Sequence, residues 1–113
     1  MRRAAKVDGN QSAIVQALER MGLSVRSTAA LGDGFPDLVI FSPRVQLTLL
    51  AEVKEAKGSF TGAQLMFYRS WSGPVYVLRA VTDAIYIANG DERFVERWEG
   101  GLHYDARPVA VPR

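Results

Sequence analysis

The chain has 113 residues, 48% hydrophobic and 23% charged, a length and balance suited to one soluble globular domain (1–113) with a single core. Cysteine is absent and His103 is the one histidine, which excludes disulfides, thiolate zinc sites, cysteine nucleophiles and histidine-based metal clusters. A bound metal would have to be held by oxygen, and the net charge of +2 is compatible with a polyanionic partner without requiring one.

The sequence opens on Met1-Arg2-Arg3-Ala4-Ala5-Lys6 and runs into polar residues, so neither a leader nor a membrane span is expected, and the expected location is the cytoplasm. Arg2, Arg3 and Lys6 at this end, and Arg107 and Arg113 at the other, are candidate phosphate contacts, although solvated termini are often basic. Over residues 10–21, Ile14, Val15, Leu18 and Met21 recur at three- and four-residue spacing, which predicts an amphipathic helix ended by Gly22. Residues 23–30 alternate loosely and predict a short strand, and Gly32-Asp33-Gly34-Phe35-Pro36 then breaks regular structure. Leu38-Val39-Ile40-Phe41, ending at Ser42-Pro43, and the run from Leu47 through Lys54 read as two strands joined by a short turn.

Gly58 and Ser59 interrupt the chain before a second helix over residues 60–71, with Thr61 as its amino-terminal cap. After Gly73-Pro74, Val75-Tyr76-Val77-Leu78 has the pattern of a buried strand, and Thr82 or Asp83 is placed to cap a third helix through Ala84, Ile85 and Ile87. The order α-β-β-β-α-β-α predicts an α/β fold, a mixed central sheet flanked by helices. Beyond Arg93 the pattern is weaker: Phe94, Val95 and Trp98 suit a short helix. Residues 104–113 read as an edge strand, a tail or an arm for a partner subunit, with 94–113 as a whole a candidate dimerisation arm.

The segment richest in chemistry is Glu52-Val53-Lys54. Side chains alternate across a strand, so Glu52 and Lys54 share one face and Val53 takes the other. Asp37 stands at the start of the preceding strand, where hairpin pairing brings its carboxylate toward Glu52. Two hard carboxylates suit Mg2+ or Mn2+, with the carbonyl of Val53 as a third oxygen, and a lysine alongside suits a phosphodiester reaction centre. Taken singly, a Glu-x-Lys strand is commonly a solvated charge pair and a Pro-Asp step commonly a turn; their conjunction gives the signal its specificity.

Gly34-Phe35-Pro36-Asp37-Leu38 followed by Glu52-Val53-Lys54 resembles the PD-(D/E)XK nuclease superfamily. Within it the likeness is to the VRR-NUC and archaeal Holliday-junction-resolvase-like branch, which includes small phage-type endonucleases, and it spans about residues 7–78. The resemblance implies a restriction-endonuclease-like core and a Mg2+- or Mn2+-dependent endodeoxyribonuclease, with branched or otherwise structured DNA among its substrates. It implies that Asp37 and Glu52 are metal ligands, Lys54 the catalytic lysine, and Gln64 a helix-borne group supporting the site or touching the substrate backbone. Symmetric cleavage of both strands would need a homodimer, since one domain offers one centre.

The chain departs from that family at the first helix, where relatives frequently carry a glutamate and this sequence reads Asp8-Gly9-Asn10-Gln11. Asn10 or Gln11 is the candidate substitute through an amide oxygen, against a plain capping role for Asp8 or Asn10. Lys57 and Arg69 are candidates for a DNA groove or for a solvated face, Phe67 and Trp71 read as core, and His103 is given no role. The missing glutamate motivates one alternative to an enzyme, a nuclease fold that binds nucleic acid without cutting it; size and the resemblance alone suggest another, an accessory or assembly protein of a phage or mobile element.

Overall fold

The computed structural model describes residues 9–105; Arg2, Arg3, Lys6, Asp8, Arg107 and Arg113 lie outside that range. Three helices, α1 (Gln11–Arg20), α2 (Gly62–Ser70) and α3 (Val81–Ala88), accompany six strands. The strands are β1 (Ser24–Ser27), β2 (Leu38–Ser42), β3 (Leu47–Val53), β4 (Pro74–Leu78), β5 (Arg97–Glu99) and β6 (Leu102–Tyr104). They form one sheet in sequence order, antiparallel throughout except for the parallel pair β3 and β4. That pair is connected through α2, as a parallel step requires a crossover. Among the described residues no helix is long and apolar enough to cross a membrane.

Helix α1 buries Ile14 and Leu18, one turn apart, and closes with Gly22 in the left-handed region at φ +89. There the amide of Leu23 reaches the carbonyl of Leu18 and that of Gly22 reaches Glu19, satisfying the last carbonyls as the helix stops. Ile14 and Leu18 join Leu38, Ile40, Leu49, Ala51, Val53, Tyr76, Leu78 and the α3 residues Ala84 and Ile87 in one apolar core. The pairing register explains this set: Leu38 faces Ala51, Ile40 faces Leu49, and Val53 faces Leu78, so these residues share one side of the sheet. The intervening residues therefore project from the other side, and these include Glu52, Val77 and Trp98. Helix α2 lies on that second side, with Tyr68 stacked on Trp98 at 5.2 Å. The sheet thus has an oily face under α1 and α3 and a charged, aromatic face under α2.

Several elements differ from the sequence expectation. The expected short helix around residues 94–98 is instead a 3-10 turn (Glu92–Phe94) leading into β5, whose hairpin with β6 extends the sheet. Once Trp98 pairs beside Val75 and stacks on Tyr68, its aromatic surface is buried by a strand more effectively than by an isolated turn of helix. Residues 23–30 split into the short strand β1 and a 3-10 turn (Ala29–Leu31). Neither Thr82 nor Asp83 occupies the cap of α3: Ala80 does, and the Asp83 carboxylate accepts the backbone N–H groups of Arg79 and Ala80 from within the first turn. Nor are Phe67 and Trp71 core as expected: Tyr68 is the buried residue of α2, whereas Trp71, just past the helix, is 41% exposed and stacks on half-buried Phe67.

Candidate functional site: two carboxylates and a lysine on the α2 face

The β2–β3 ladder, continued one step beyond Leu38 and Ala51, sets Asp37 opposite Glu52. Both side chains leave the sheet on the α2 side, and Lys54 follows two residues on, on that side too. All three are withdrawn from water, with relative exposures of 5% for Asp37, 2% for Glu52 and 9% for Lys54. Asp37 Oδ2 accepts the N–H of Val53 at 2.9 Å, where the ladder has run out of backbone partners. The loop ahead of it is pinned by Thr28, whose amide donates to the Asp37 carbonyl and whose hydroxyl donates to that of Pro36.

Helix α2 supplies two more groups. Thr61 caps it in a reciprocal box: Thr61 Oγ1 accepts the Gln64 amide N–H and Gln64 Oε1 accepts that of Thr61. This leaves Gln64 Nε2 to donate to Glu52 Oε2 at 3.0 Å. One turn later the Tyr68 hydroxyl meets Glu52 Oε1 at 3.4 Å. Gly34 allows this approach, because at its φ of +81 a methyl group would stand 2.2 Å from the Ala63 carbonyl oxygen. The loop before Asp37 therefore lies backbone to backbone on the first turn of α2, and any side chain there would separate Asp37 from Gln64.

Burial and the neighbouring Asp37 carboxyl, with which it shares a hydrogen bond, push the Glu52 carboxyl up to about 10, against the opposing pull of Lys54 and Tyr68. Burial and the nearby carboxylates raise the Tyr68 hydroxyl as well, so it stays a donor at all ordinary pH. At neutral pH and without a cation, Glu52 accordingly keeps its proton. A divalent ion would reverse that preference by rewarding the ionised form.

The donor set fits a hard cation. Magnesium is commonly held by one or two carboxylates, with water and substrate phosphate completing its shell. Among the described residues no three carboxylate or imidazole groups converge, so Asp37 and Glu52 would be the charged ligands. At the start of α1, Asn10 Oδ1 and Gln11 Oε1 are both buried and without a hydrogen-bond partner among the described residues, and Gln11 lines a cavity with Val25 and Leu38. Asn10 stands at the helix cap position but makes no capping bond; its Nδ2 donates instead to the carbonyls of Lys54 and Arg79, both at 3.0 Å. This fastens the start of α1 to the ends of β3 and β4. Lys57 is exposed, three residues past Lys54.

Phe60 and a linked group of Arg79, Glu96 and His103 extend the site beyond Lys54. The Arg79 Nε donates to Glu96 Oε1 at 2.7 Å, and His103 Nε2 lies 2.7 Å from the other oxygen of Glu96. Phe60 stands over this group, its ring centre 5.6 Å from both Lys54 Nζ and the Arg79 guanidinium. Tyr68 was legible in principle, being one helical turn from Gln64 and so on the same side of α2. Glu96 and His103 were not, because Glu96 lies just before β5 and His103 lies on β6, a hairpin that the sequence pattern leaves unresolved. Comparison with protein-family models, curated proteins and solved structures finds no match to this chain.

Proposed function

We propose that this protein is a metal-dependent endonuclease that hydrolyses DNA phosphodiester bonds, built on a restriction-endonuclease-like core. The observation that carries the reading is the convergence of Asp37, Glu52 and Lys54 on one buried patch of the α2 face, away from the apolar core. A buried carboxyl pair with no catalytic use is costly, since the second group must either be ionised beside the first or be held protonated at neutral pH. The resemblance of the Gly-Phe-Pro-Asp and Glu-Val-Lys segments to the PD-(D/E)XK nucleases supplies the reaction class.

In this reading Asp37 and Glu52 hold Mg2+ or Mn2+, with the Val53 carbonyl and an amide oxygen from Asn10 or Gln11 as further candidates. When bound, the ion activates water and neutralises charge developing on the phosphate. Lys54 presents its ammonium to the attacking water and to the phosphoryl oxygens. Gln64 and Tyr68 keep the Glu52 carboxylate in one orientation, so little reorganisation is needed during the reaction. Cutting both strands of a branched or duplex substrate takes two such centres, hence a homodimer.

The test is nicking of supercoiled plasmid and of branched DNA in Mg2+, in Mn2+ and in chelator. Metal-dependent products that disappear in Asp37→Asn and Lys54→Ala, with both variants folded, are the expected result. Cleavage by both variants at the wild-type rate would refute the reading. One observation favours a second reading, a nuclease-like fold that grips nucleic acid without cutting it: two carboxylates meet among the described residues, not three. That protein would bind DNA with a salt-dependent affinity and yield no metal-dependent product.

A further inference from the structure

Arg79 directly follows β4, and the β3–β4 register, continued one step beyond Val53 and Leu78, puts it beside Lys54. Its side chain is 11% exposed, and its guanidinium is used in two directions. One edge grips the carboxylate of Glu96, through Nε at 2.7 Å and Nη2 at 3.3 Å. Nη1 reaches across to the carbonyls of Glu55 and Gly58, each at 2.8 Å. Those carbonyls belong to the turn that immediately follows Lys54, and the turn lies along the lysine stem: a methyl on Gly58 would stand 3.6 Å from Lys54 Cδ. The backbone of Arg79 is itself fixed, with its N–H on Asp83 and its carbonyl on the Asn10 amide that also binds the Lys54 carbonyl.

We propose that Arg79 is the positioning residue for Lys54, a clamp that closes the turn at residues 55–58 over the lysine stem and thereby fixes where its ammonium stands. The inference rests on the nuclease reading for its catalytic consequence, but the clamp itself is independent of it. A planar fork with five donors is suited to this task, because it can bind a carboxylate on one side and two carbonyls on the other. Lysine keeps the charge but cannot span both partners. The Glu96 carboxylate, 2% exposed, has no surface role and serves to hold the guanidinium, with His103 against its other oxygen.

The experiment compares wild type with Arg79→Lys and with the double variant Arg79→Met/Glu96→Gln. The double variant leaves no charge stranded and so preserves folding where a single neutralisation would strand Glu96. Two quantities are read: plasmid nicking kinetics in Mg2+, and the acetylation rate of Lys54 measured by peptide mass spectrometry. The chain has three lysines, Lys6, Lys54 and Lys57, so the modified sites are readily told apart. In both variants kcat is expected to fall on the order of 100-fold with KM for DNA unchanged, the cost of a misplaced catalytic group. Lys54 acetylation is expected to rise severalfold while that of exposed Lys57 holds steady. Wild-type acetylation of Lys54 in the folded double variant, or altered acetylation with unchanged kcat, would overturn the proposal. Absence of nicking by the wild-type protein would refute the nuclease reading instead, and the acetylation measurement would still decide whether the clamp exists.

Discussion

Replacing Glu52 by glutamine is expected to make the metal-free protein more stable at neutral pH. The Glu52 carboxyl is raised from 4.5 to about 10, so folding retains a proton that the unfolded chain gives up above pH 4.5. A raised pKa means that the stability contribution of the group is complete below 4.5 and is lost as pH climbs toward 10. The slope is about 1.4 kcal/mol per pH unit within that window, which amounts to roughly 3 kcal/mol by pH 7. Glutamine is neutral throughout, can accept from Gln64 with its oxygen, and can donate to Asp37 with its amide, so it keeps the local bonds and removes the penalty. The assay is urea unfolding in chelator from pH 5 to 9. Wild type should lose stability steadily over that range; Glu52→Gln should follow a much flatter profile and surpass wild type by a gap that widens with pH. Parallel profiles, or a variant less stable at pH 8, would refute the claim that Glu52 is held protonated. The same linkage requires Mg2+ binding to wild type at pH 7 to release about one proton, read as a buffer-dependent enthalpy in titration calorimetry.

Lys54→Ala should lower metal-dependent nicking by roughly 100-fold to 1,000-fold, the usual scale for deleting one group that stabilises developing charge, with the Mg2+ midpoint nearly unchanged. Gly34→Ala should destabilise the fold by at least about 2 kcal/mol, because it demands a positive φ and drives a methyl into the Ala63 carbonyl; a thermal melt within a degree of wild type would contradict the close approach. Thr61→Ala should cost about 1 kcal/mol as a lost cap. It should also weaken nicking, because the box it breaks orients Gln64 toward Glu52. Tyr68→Phe removes a donor that favours ionised Glu52, so the proton release on metal binding should persist while Mg2+ affinity drops, by about 1 kcal/mol in calorimetry.

The parts of the site that could be read from sequence are those governed by local periodicity. Glu52 and Lys54 share a face because strand side chains alternate, and Asp37 stands near them because a short hairpin leaves it nowhere else to go. Thr61, read from the sequence as the amino-terminal cap, does start α2, while the box it closes with Gln64 emerged only from the structure. Asn10 illustrates the limit. Its position before an amphipathic run makes it a helix cap on sequence grounds, yet its amide is taken by carbonyls 44 and 69 residues away.

Sequence alone determined the α/β succession as far as α3, the hairpin and the pairing of an acid with a lysine on one strand face, since each follows from interactions within a few residues. Only the tertiary structure decided that the sheet has one apolar and one charged face, that Tyr68 and Gln64 converge on Glu52, and that Arg79, Glu96 and His103 stand behind Lys54. Those outcomes depend on which strands become neighbours and which helix covers which side. The free energy that settles them comes from burial and from hydrogen bonds between residues far apart in the chain, and no local pattern encodes it.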